Sequence, residues 1–195
     1  MNLNKDTLKK IVKSSIKIKI PIITFYVFSS ENWKRPKKEV NFLFKLIKSY
    51  FSKEIENIKK QGIKINIFGE LNKLNSELKH VLKKSVDLTK NNKKIIVNLA
   101  INYGSRNEIF KTLKNLKKKT NLKTFEKNLY TKNMPHPDIL IRTGGRNRLS
   151  NFMLWQAAYA EFVFQNTLWP DFTKETLCSA IDEYYTRDRR YGARP

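Results

Sequence analysis

Five apolar runs recur along the chain, and each is bounded by charged or turn-forming residues. They are Ile20–Phe28, Ile63–Phe68, Ile95–Ile101, Asp138–Ile141 and Phe162–Phe164. Most contain β-branched side chains, which favours strands. Because the runs are continuously apolar rather than alternating, we expect both faces of the resulting sheet to be covered.

Segments of helical period separate these runs. The clearest follows Pro36, a residue suited to a first helical turn, and ends before Gly62. Its apolar stripe consists of Val40, Leu43, Phe44, Ile47, Phe51, Ile55 and Ile58. Further helices are predicted over Asn75–Lys90, Ser105–Lys119 and Lys174–Arg189. The alternation of strand and helix predicts an α/β fold with a mainly parallel sheet flanked by helices, in a single domain over residues 1–195.

Polar or glycine-containing segments stand where three of the predicted strands end. Ser29–Trp33 follows the first strand, Asn102–Gly104 follows the third, and Arg142–Gly145 follows the fourth. Ligands of parallel α/β sheets bind beyond the carboxyl ends of the strands. We therefore expect the three segments to line one common mouth.

The formal net charge of +23 raises the hypothesis of a nucleic-acid partner. The lysines, however, are scattered over nearly every predicted helix instead of forming one face. Lys, Ile and Asn are abundant together, as in genes rich in A and T. We therefore expect no nucleic-acid partner.

The sequence contains no segment suited to crossing a bilayer. Ile20–Phe28 is interrupted by Thr24 and is far shorter than the roughly 20 residues required. The first five residues lack the apolar region of a secretory signal. Cys178 is the only cysteine, so no internal disulfide can form, which suits a reducing compartment. The expected location is cytoplasmic.

The segment after the fourth predicted strand has the composition of a diphosphate site. Arg142 ends the strand, two glycines follow, and Arg146, Arg148 and Ser150 come next. Guanidinium groups, a hydroxyl and backbone amides all suit phosphate oxygens. The alternative is a surface turn with solvated arginines, but the combination of these features favours the anion site.

Ser29-Ser30-Glu31-Asn32-Trp33-Lys34-Arg35 after the first strand has two balanced interpretations. Its hydroxyl and amide groups can position a substrate and accept a proton, with Trp33 as an apolar wall. Equally, Ser or Asn caps the helix that follows, and Trp33 belongs to the core.

Glu161 is a lone carboxylate between apolar neighbours. A charge in such surroundings requires an arginine, a metal ion or exposure to solvent. The default is a structural ion pair. The nearby arginines Arg142, Arg146 and Arg148 could supply the partner, or they and Glu161 could serve one metal-bound diphosphate.

Five motifs together carry a resemblance to a known family. FSSENWKRP, NYGSR, RTGGRNRLSNFMLWQAAYAE, WPDF and RDRRYG stand in the order and near the spacing of the motifs of cis-prenyltransferases, and are most similar to bacterial undecaprenyl diphosphate synthase. The similarity runs from about residue 9 to residue 192, and the long arginine-containing motif is its most specific part. The sequence has no adjacent aspartates, which argues against the trans-prenyl synthases.

The resemblance implies condensation of isopentenyl diphosphate with an allylic diphosphate of the farnesyl type. The product would be a cis-polyprenyl diphosphate of the undecaprenyl kind, a carrier lipid for cell-wall synthesis. It also implies a Mg²⁺ cofactor, a homodimer, and peripheral membrane contact for product release. Aromatic residues of the C-terminal half are expected at the dimer interface. They are Trp155, Tyr159, Phe162, Phe164 and Trp169.

The resemblance also assigns residues to these roles. The isopentenyl diphosphate site matches Arg142, Arg148, Leu149 and Ser150, and a magnesium ligand matches Glu161. Asn32 matches the proposed proton acceptor. The remaining matches to the substrate-contacting loop are Ser29, Ser30, Glu31, Trp33 and Arg35.

The sequence departs from the family pattern at its start. Members usually open with a strand and a Met-Asp-Gly-Asn-Gly-Arg loop that binds magnesium and the allylic diphosphate, and nothing in the 195 residues matches it. We expect the usual first strand to be missing and the activity of the 195-residue chain to be impaired. A start codon assigned too far downstream, a decaying gene, or a subunit completed by a partner would each explain this, and the first two are favoured. A non-catalytic partner subunit is the alternative function.

A second departure is Arg146, where close bacterial relatives usually carry glutamate. The reversed charge would tighten diphosphate binding or slow its release.

Overall fold

The computed structural model describes residues 5–116 and 120–189. Its helices are α1 Lys5–Lys17, α2 Lys37–Lys60, α3 Ser76–Thr89, α4 Ser105–Asn115, α5 Leu122–Glu126 and α6 Lys174–Tyr185. Its strands are β1 Ile22–Ser29, β2 Ile63–Phe68, β3 Ile95–Tyr103, β4 Ile139–Arg142 and β5 Glu161–Phe164. Single 3₁₀ turns occupy Ser30–Lys34, Leu71–Lys73 and Trp169–Asp171.

Residues 15–132 form one of two compact units. At its centre is a parallel sheet in the order β1-β3-β2. The middle strand is buried along nearly its whole length, as its continuous apolar sequence predicts. Ser29 is aligned with Tyr103 across β1 and β3, so the segments that follow these two strands leave the sheet at the same edge.

Two helices cover this sheet through apolar stripes. Pro36 caps α2, and the helix buries six apolar side chains at helical spacing. Gly62 then turns the chain into β2 with a φ of 75°, a value that glycine adopts without a steric penalty. α3 begins at Asn75, whose side chain accepts a hydrogen bond from the Leu78 backbone N–H at 2.8 Å. The buried residues of α2 are Val40, Phe44, Ile47, Phe51, Ile55 and Ile58.

The other unit combines most of α1 with residues from 133 onward. β4 and β5 form a parallel pair in which Ile139 lies opposite Glu161 and Arg142 opposite Phe164. Within this unit the Thr7 hydroxyl donates a hydrogen bond to the Pro170 carbonyl at 2.9 Å, and α6 contributes the buried Leu177 and Ala180.

The α/β class and the parallel strand pairing are confirmed. The five described strands form two hydrogen-bonded ladders, one of three strands and one of two. The single-domain expectation for residues 1–195 and the missing first strand stay predictions. Part of the helix predicted over Ser105–Lys119 lies outside the described residues, at 117–119.

In the part of the chain that the structure describes, no helix is long and apolar enough to span a membrane. The longest, α2, has 24 residues, but lysines recur along it.

Candidate functional site

The loop that follows β4 gathers three of the predicted diphosphate ligands. Arg142 ends the strand, and its Nη1 donates to the Ser150 hydroxyl at 2.8 Å and to the carbonyl oxygen of Arg148. One guanidinium therefore ties the strand end to both later residues of the loop. Leu149, between them, is half-buried.

The two glycines let this loop turn back on the neighbouring strand end. Gly144 and Gly145 have φ values of 85° and 64°, which glycine adopts without a steric penalty. Their backbone N–H groups donate to the carbonyl oxygens of Thr167 at 2.9 Å and Gln165 at 3.0 Å. The turn is therefore fixed by backbone bonds, and the arginine side chains are not needed to hold it.

Left-handed backbone recurs in non-glycine residues just beyond. Ser150, Asn151 and Met153 have φ values of 51°, 62° and 47°. Such conformations cost about 1–3 kcal/mol each and cluster at ligand-binding sites. Asparagine is common in this region, but serine and methionine are not, so the sequence gives no signal for the conformations of Ser150 and Met153.

Positive charge converges on Arg142. Burial lowers the pKa of its guanidinium, and the positive charges of Arg148 and Arg146 lower it further. Arg142 is half-buried, whereas Arg146 and Arg148 are exposed. A bound anion with several charges would relieve this mutual repulsion, which is the electrostatic condition for a diphosphate site.

Glu161 forms an ion pair at the start of β5. Its Oε2 accepts from Arg187 Nη1 at 2.8 Å, and Arg187 also bonds Glu183. These two carboxylates raise the pKa of Arg187, Glu161 most of all. The arginine partner thus comes from the C-terminal RDRRYG motif and not from the Arg142–Arg148 loop.

Glu161 and Arg142 stand at opposite ends of the β4–β5 ladder. Arg142 lies opposite Phe164, three residues beyond Glu161, which is about 10 Å along the strand. Their side chains belong to different sets of contacts.

Mg²⁺ takes hard oxygen ligands, commonly one or two carboxylates completed by water and substrate phosphate. A half-buried carboxylate such as Glu161 fits one such ligand once Arg187 releases it. Within the described ranges no group of three or more His, Cys, Asp or Glu side chains comes together to hold a metal ion.

The segment after β1 forms a 3₁₀ turn, Ser30–Lys34. Asn32 Oδ1 accepts the Ser29 backbone N–H at 3.0 Å, and the Ser30 hydroxyl donates to Glu31 Oε2 at 3.1 Å. Arg35 pairs with Glu39 at 2.7 Å. The Asn32 bond closes this 3₁₀ turn, whereas α2 has Pro36 at its N-cap and no side-chain cap, so the predicted capping of α2 by Ser or Asn is wrong. A role of Asn32 as proton acceptor must use its second oxygen lone pair.

Trp33 connects the ends of β1 and β3. Its indole Nε1 donates to Asn102 Oδ1 at 2.7 Å, and its ring makes edge contacts with Phe28 and Phe44. The expectation that these two strand-end segments meet is confirmed. The loop after β4 lies in the other compact unit, so its place at the same mouth stays a prediction.

A buried carboxylate near the carboxyl ends of β1 and β3 was not selected as a candidate from the sequence. Glu108 is 1% exposed and accepts from the Tyr103 hydroxyl and the Tyr130 backbone N–H, both at 2.7 Å. Burial raises the pKa of Tyr103, and the neighbouring Glu108 raises it further. A charged residue at a helical position otherwise suited to the core is the signal that could have identified it.

The sequence matches a known family over nearly its whole length. The prenyltransferase family model, described as "Putative undecaprenyl diphosphate synthase", matches residues 2–192. The chain belongs to this family. Among curated relatives, the isoprenyl transferase of Rickettsia typhi is 44% identical, with 97% of this chain and 85% of the relative covered. That of Clostridium tetani is 42% identical over 96% of this chain and 77% of the relative.

Two solved structures have the same fold as this chain. A "probable undecaprenyl diphosphate synthase" from Campylobacter jejuni superposes with a TM-score of 0.87 at 33% identity, covering 97% of this chain and 91% of that one. Lavandulyl diphosphate synthase from Lavandula x intermedia, in complex with dimethylallyl diphosphate, gives 0.91 at 29% identity, covering 96% and 85%.

Proposed function

We propose that this chain condenses isopentenyl diphosphate with an allylic diphosphate and so lengthens a cis-polyprenyl diphosphate. The observation that carries the proposal is the Arg142 cluster in a member of the prenyltransferase family. A guanidinium held by Ser150, with two further arginines beside it, provides the charge and the donors that a diphosphate needs.

Each part of the site has a role in this reaction. Arg142, Arg148 and Ser150 bind the isopentenyl diphosphate, and Leu149 packs beside them. The loop after β1 receives the isoprenyl carbons against Trp33, and Asn32 accepts the proton released when the new double bond forms. Such a step needs only a weak, well-placed acceptor. The other contacts of this loop are Ser29, Ser30, Glu31 and Arg35.

Membership of the family supports an allylic substrate, and a structural neighbour was solved in complex with an allylic diphosphate, dimethylallyl diphosphate. We propose a farnesyl-type primer and an undecaprenyl-type product, formed in the cytoplasm with peripheral membrane contact for product release. Mg²⁺, held by Glu161 and phosphate oxygens, would stabilise the departing diphosphate. In this arrangement Arg187 must give up the Glu161 carboxylate.

The family's aspartate-containing loop has no counterpart in the 195 residues, so condensation is proposed to need such a segment in addition. If none belongs to this protein, the second candidate is a non-catalytic partner subunit. An upstream, in-frame Asp-Gly-Asn-Gly-Arg would favour the enzyme.

Binding of isopentenyl diphosphate tests the proposal without requiring turnover. Arg142→Gln is expected to weaken binding to the 195-residue chain by about tenfold or more, because a charge-assisted hydrogen bond contributes about 1.5–3 kcal/mol. Isothermal titration calorimetry measures this directly. Lys174→Gln, which removes one exposed positive charge from the same unit, is the matched control and should leave the affinity unchanged. Equal affinities for the two variants would contradict the assignment.

Homodimerisation through the C-terminal half is also proposed. Tyr159 and Phe164 are 68% and 40% exposed, and Trp155, Phe162 and Trp169 are half-buried. Phe164→Ser is expected to weaken the dimer at least about fivefold, since truncating an aromatic hot-spot residue costs more than about 1 kcal/mol. Phe110→Ser, at a residue 60% exposed on α4, should not. Sedimentation equilibrium at micromolar concentration compares them, and a wild-type monomer would contradict the proposal.

A further inference from the structure

The geometry points to Asn102 as a positioning residue that fixes the orientation of the Trp33 ring. The inference rests on the proposed function, which places the isoprenyl carbons against Trp33. Asn102 is the last residue but one of β3 and is 2% exposed, so it offers almost no surface to a substrate. It acts through the indole.

The Asn102 side chain is engaged at both ends of its amide. Oδ1 accepts the Trp33 Nε1–H at 2.7 Å, and Nδ2 donates to the Glu70 carbonyl at 2.6 Å. The indole nitrogen can only donate and the carbonyl can only accept. The two bonds therefore fix which way the amide points, and the reverse orientation would lose both.

The backbone conformation at position 102 further limits which residue types this position can accept. Its φ of 49° lies in the left-handed region, where glycine, asparagine and aspartate are the least strained residues. Aspartate could accept from Trp33 but would place a carboxylate oxygen against the Glu70 carbonyl. Glycine would offer neither bond. Asparagine alone satisfies the backbone and both partners.

The segment that follows β2 holds Asn102 rigidly. The Glu70 backbone N–H donates to the Asn102 carbonyl at 3.0 Å, so the residue is bonded to Glu70 through its main chain and its side chain. Gly69 packs so closely against β3 that an added Cβ would lie 2.0 Å from the Ile101 carbonyl oxygen. The ends of β2 and β3 thus form one fixed support.

Trp33 needs this support because its other contacts are apolar. Phe28 and Phe44 meet its ring edge-on, with centroids at 5.3 Å and 5.5 Å. Such contacts restrict the tilt of the indole less than a hydrogen bond does, because they are less directional. The indole hydrogen bond removes that freedom, and 36% of Trp33 stays exposed as the surface offered to a substrate.

A double-mutant cycle tests the coupling. Kinetics are measured on the chain preceded by a family-type N-terminal segment. Asn102→Asp and Trp33→Phe are each expected to lower kcat about tenfold, because a displaced wall misplaces the reacting carbons. The dissociation constant for isopentenyl diphosphate should change less than about twofold, since the Arg142 loop is intact. In Asn102→Asp, repulsion between the carboxylate and the Glu70 carbonyl turns the acceptor oxygen away from the indole, so this variant and Trp33→Phe disturb the same contact. The double variant should therefore be no slower than either single one.

Asn98→Asp is the matched control. Asn98 lies in the same strand, is 1% exposed, and has its amide bonded at both ends, to Asn66 at 3.0 Å and Thr24 at 3.1 Å. The chemical change is identical, but Trp33 is not involved. Its effect on kcat should therefore multiply with that of Trp33→Phe, whereas its effect on the urea midpoint should resemble that of Asn102→Asp.

The Trp33 indole Nε1–H resonance in a ¹H–¹⁵N correlation spectrum gives a readout that does not depend on activity. It should be protected from exchange in the wild type, shift and lose protection in Asn102→Asp, and stay in place in Asn98→Asp. An unchanged Trp33 resonance in Asn102→Asp, or multiplicative effects of Asn102→Asp and Trp33→Phe on kcat, would overturn the inference. If the resonance responds while the extended wild-type chain condenses nothing, the proposed function fails and the positioning role fails with it.

Discussion

Arg142→Ala is expected to lower the kcat/KM of isopentenyl condensation about a hundred- to a thousandfold in a chain preceded by a family-type N-terminal segment. Losing one preorganised electrostatic partner typically costs this much. Here the substitution also removes both bonds that tie β4 to Ser150 and to Arg148. Steady-state incorporation of radiolabelled isopentenyl diphosphate measures the loss.

Two variants of the same loop separate charge from geometry. Arg142→Lys keeps the charge but not the planar fork, so it should recover part of the activity. Arg146→Glu introduces the residue that the family resemblance leads us to expect, and it should leave turnover equal or faster because a less tightly held diphosphate is released sooner. Activity of Arg142→Ala within about threefold of wild type would exclude Arg142 from the substrate site.

Glu161→Gln is expected to reduce the same rate about a hundredfold and to raise the Mg²⁺ concentration needed for half-maximal activity. The amide keeps a hydrogen-bonding oxygen but loses the charge that a hard cation requires. A titration of activity against Mg²⁺ measures both effects.

Glu183→Gln is the control for the shared arginine. Glu183 is the other carboxylate bonded to Arg187, so this variant disturbs the same guanidinium without touching Glu161. It should change the rate by less than about threefold. Equal losses in the two variants would mean that Glu161 acts only as a structural partner of Arg187.

The regular elements could be predicted because apolar pattern and burial agree. β2 has the predicted bounds Ile63–Phe68, and the predicted stripe of α2 is buried except for the half-buried Leu43. α1 was not predicted from the residue pattern, although its Ile11 and Val12 are buried at adjacent positions. Together with Leu8 and Ile16 they stand at helical spacing, so the sequence carries a helix signal that the prediction missed.

Tertiary contacts determine the ends of β3 and α6, which the sequence pattern predicted at other residues. β3 continues past Ile101 to Tyr103, because the polar Asn102 satisfies its amide through Trp33 and Glu70. α6 ends at Tyr185 instead of Arg189. Beyond this helix, Arg187 pairs with Glu161. Arg189 Nη1 lies 3.4 Å from Asp138 Oδ1. No local propensity encodes such long-range pairs.

In the candidate site, too, residues clustered in sequence could be predicted, whereas a partner distant in sequence could not. Residue types and strand ends were enough to select Arg142, Arg148 and Ser150, because their clustering in sequence becomes clustering in space through the Gly144–Gly145 turn. The partner of Glu161 could not be selected in this way. It lies 26 residues away and competes with arginines that are nearer in sequence.

The most direct test of the proposed reaction is radiolabelled isopentenyl incorporation by the chain with a family-type N-terminal segment, measured with and without a farnesyl-type allylic diphosphate and beside the 195-residue chain. We expect primer-dependent incorporation by the extended chain, and at least a hundredfold less by the 195-residue chain, because the added segment is expected to supply several electrostatic partners together. A folded extended chain that binds isopentenyl diphosphate but incorporates none, or a 195-residue chain that turns over at a comparable rate, would contradict this expectation.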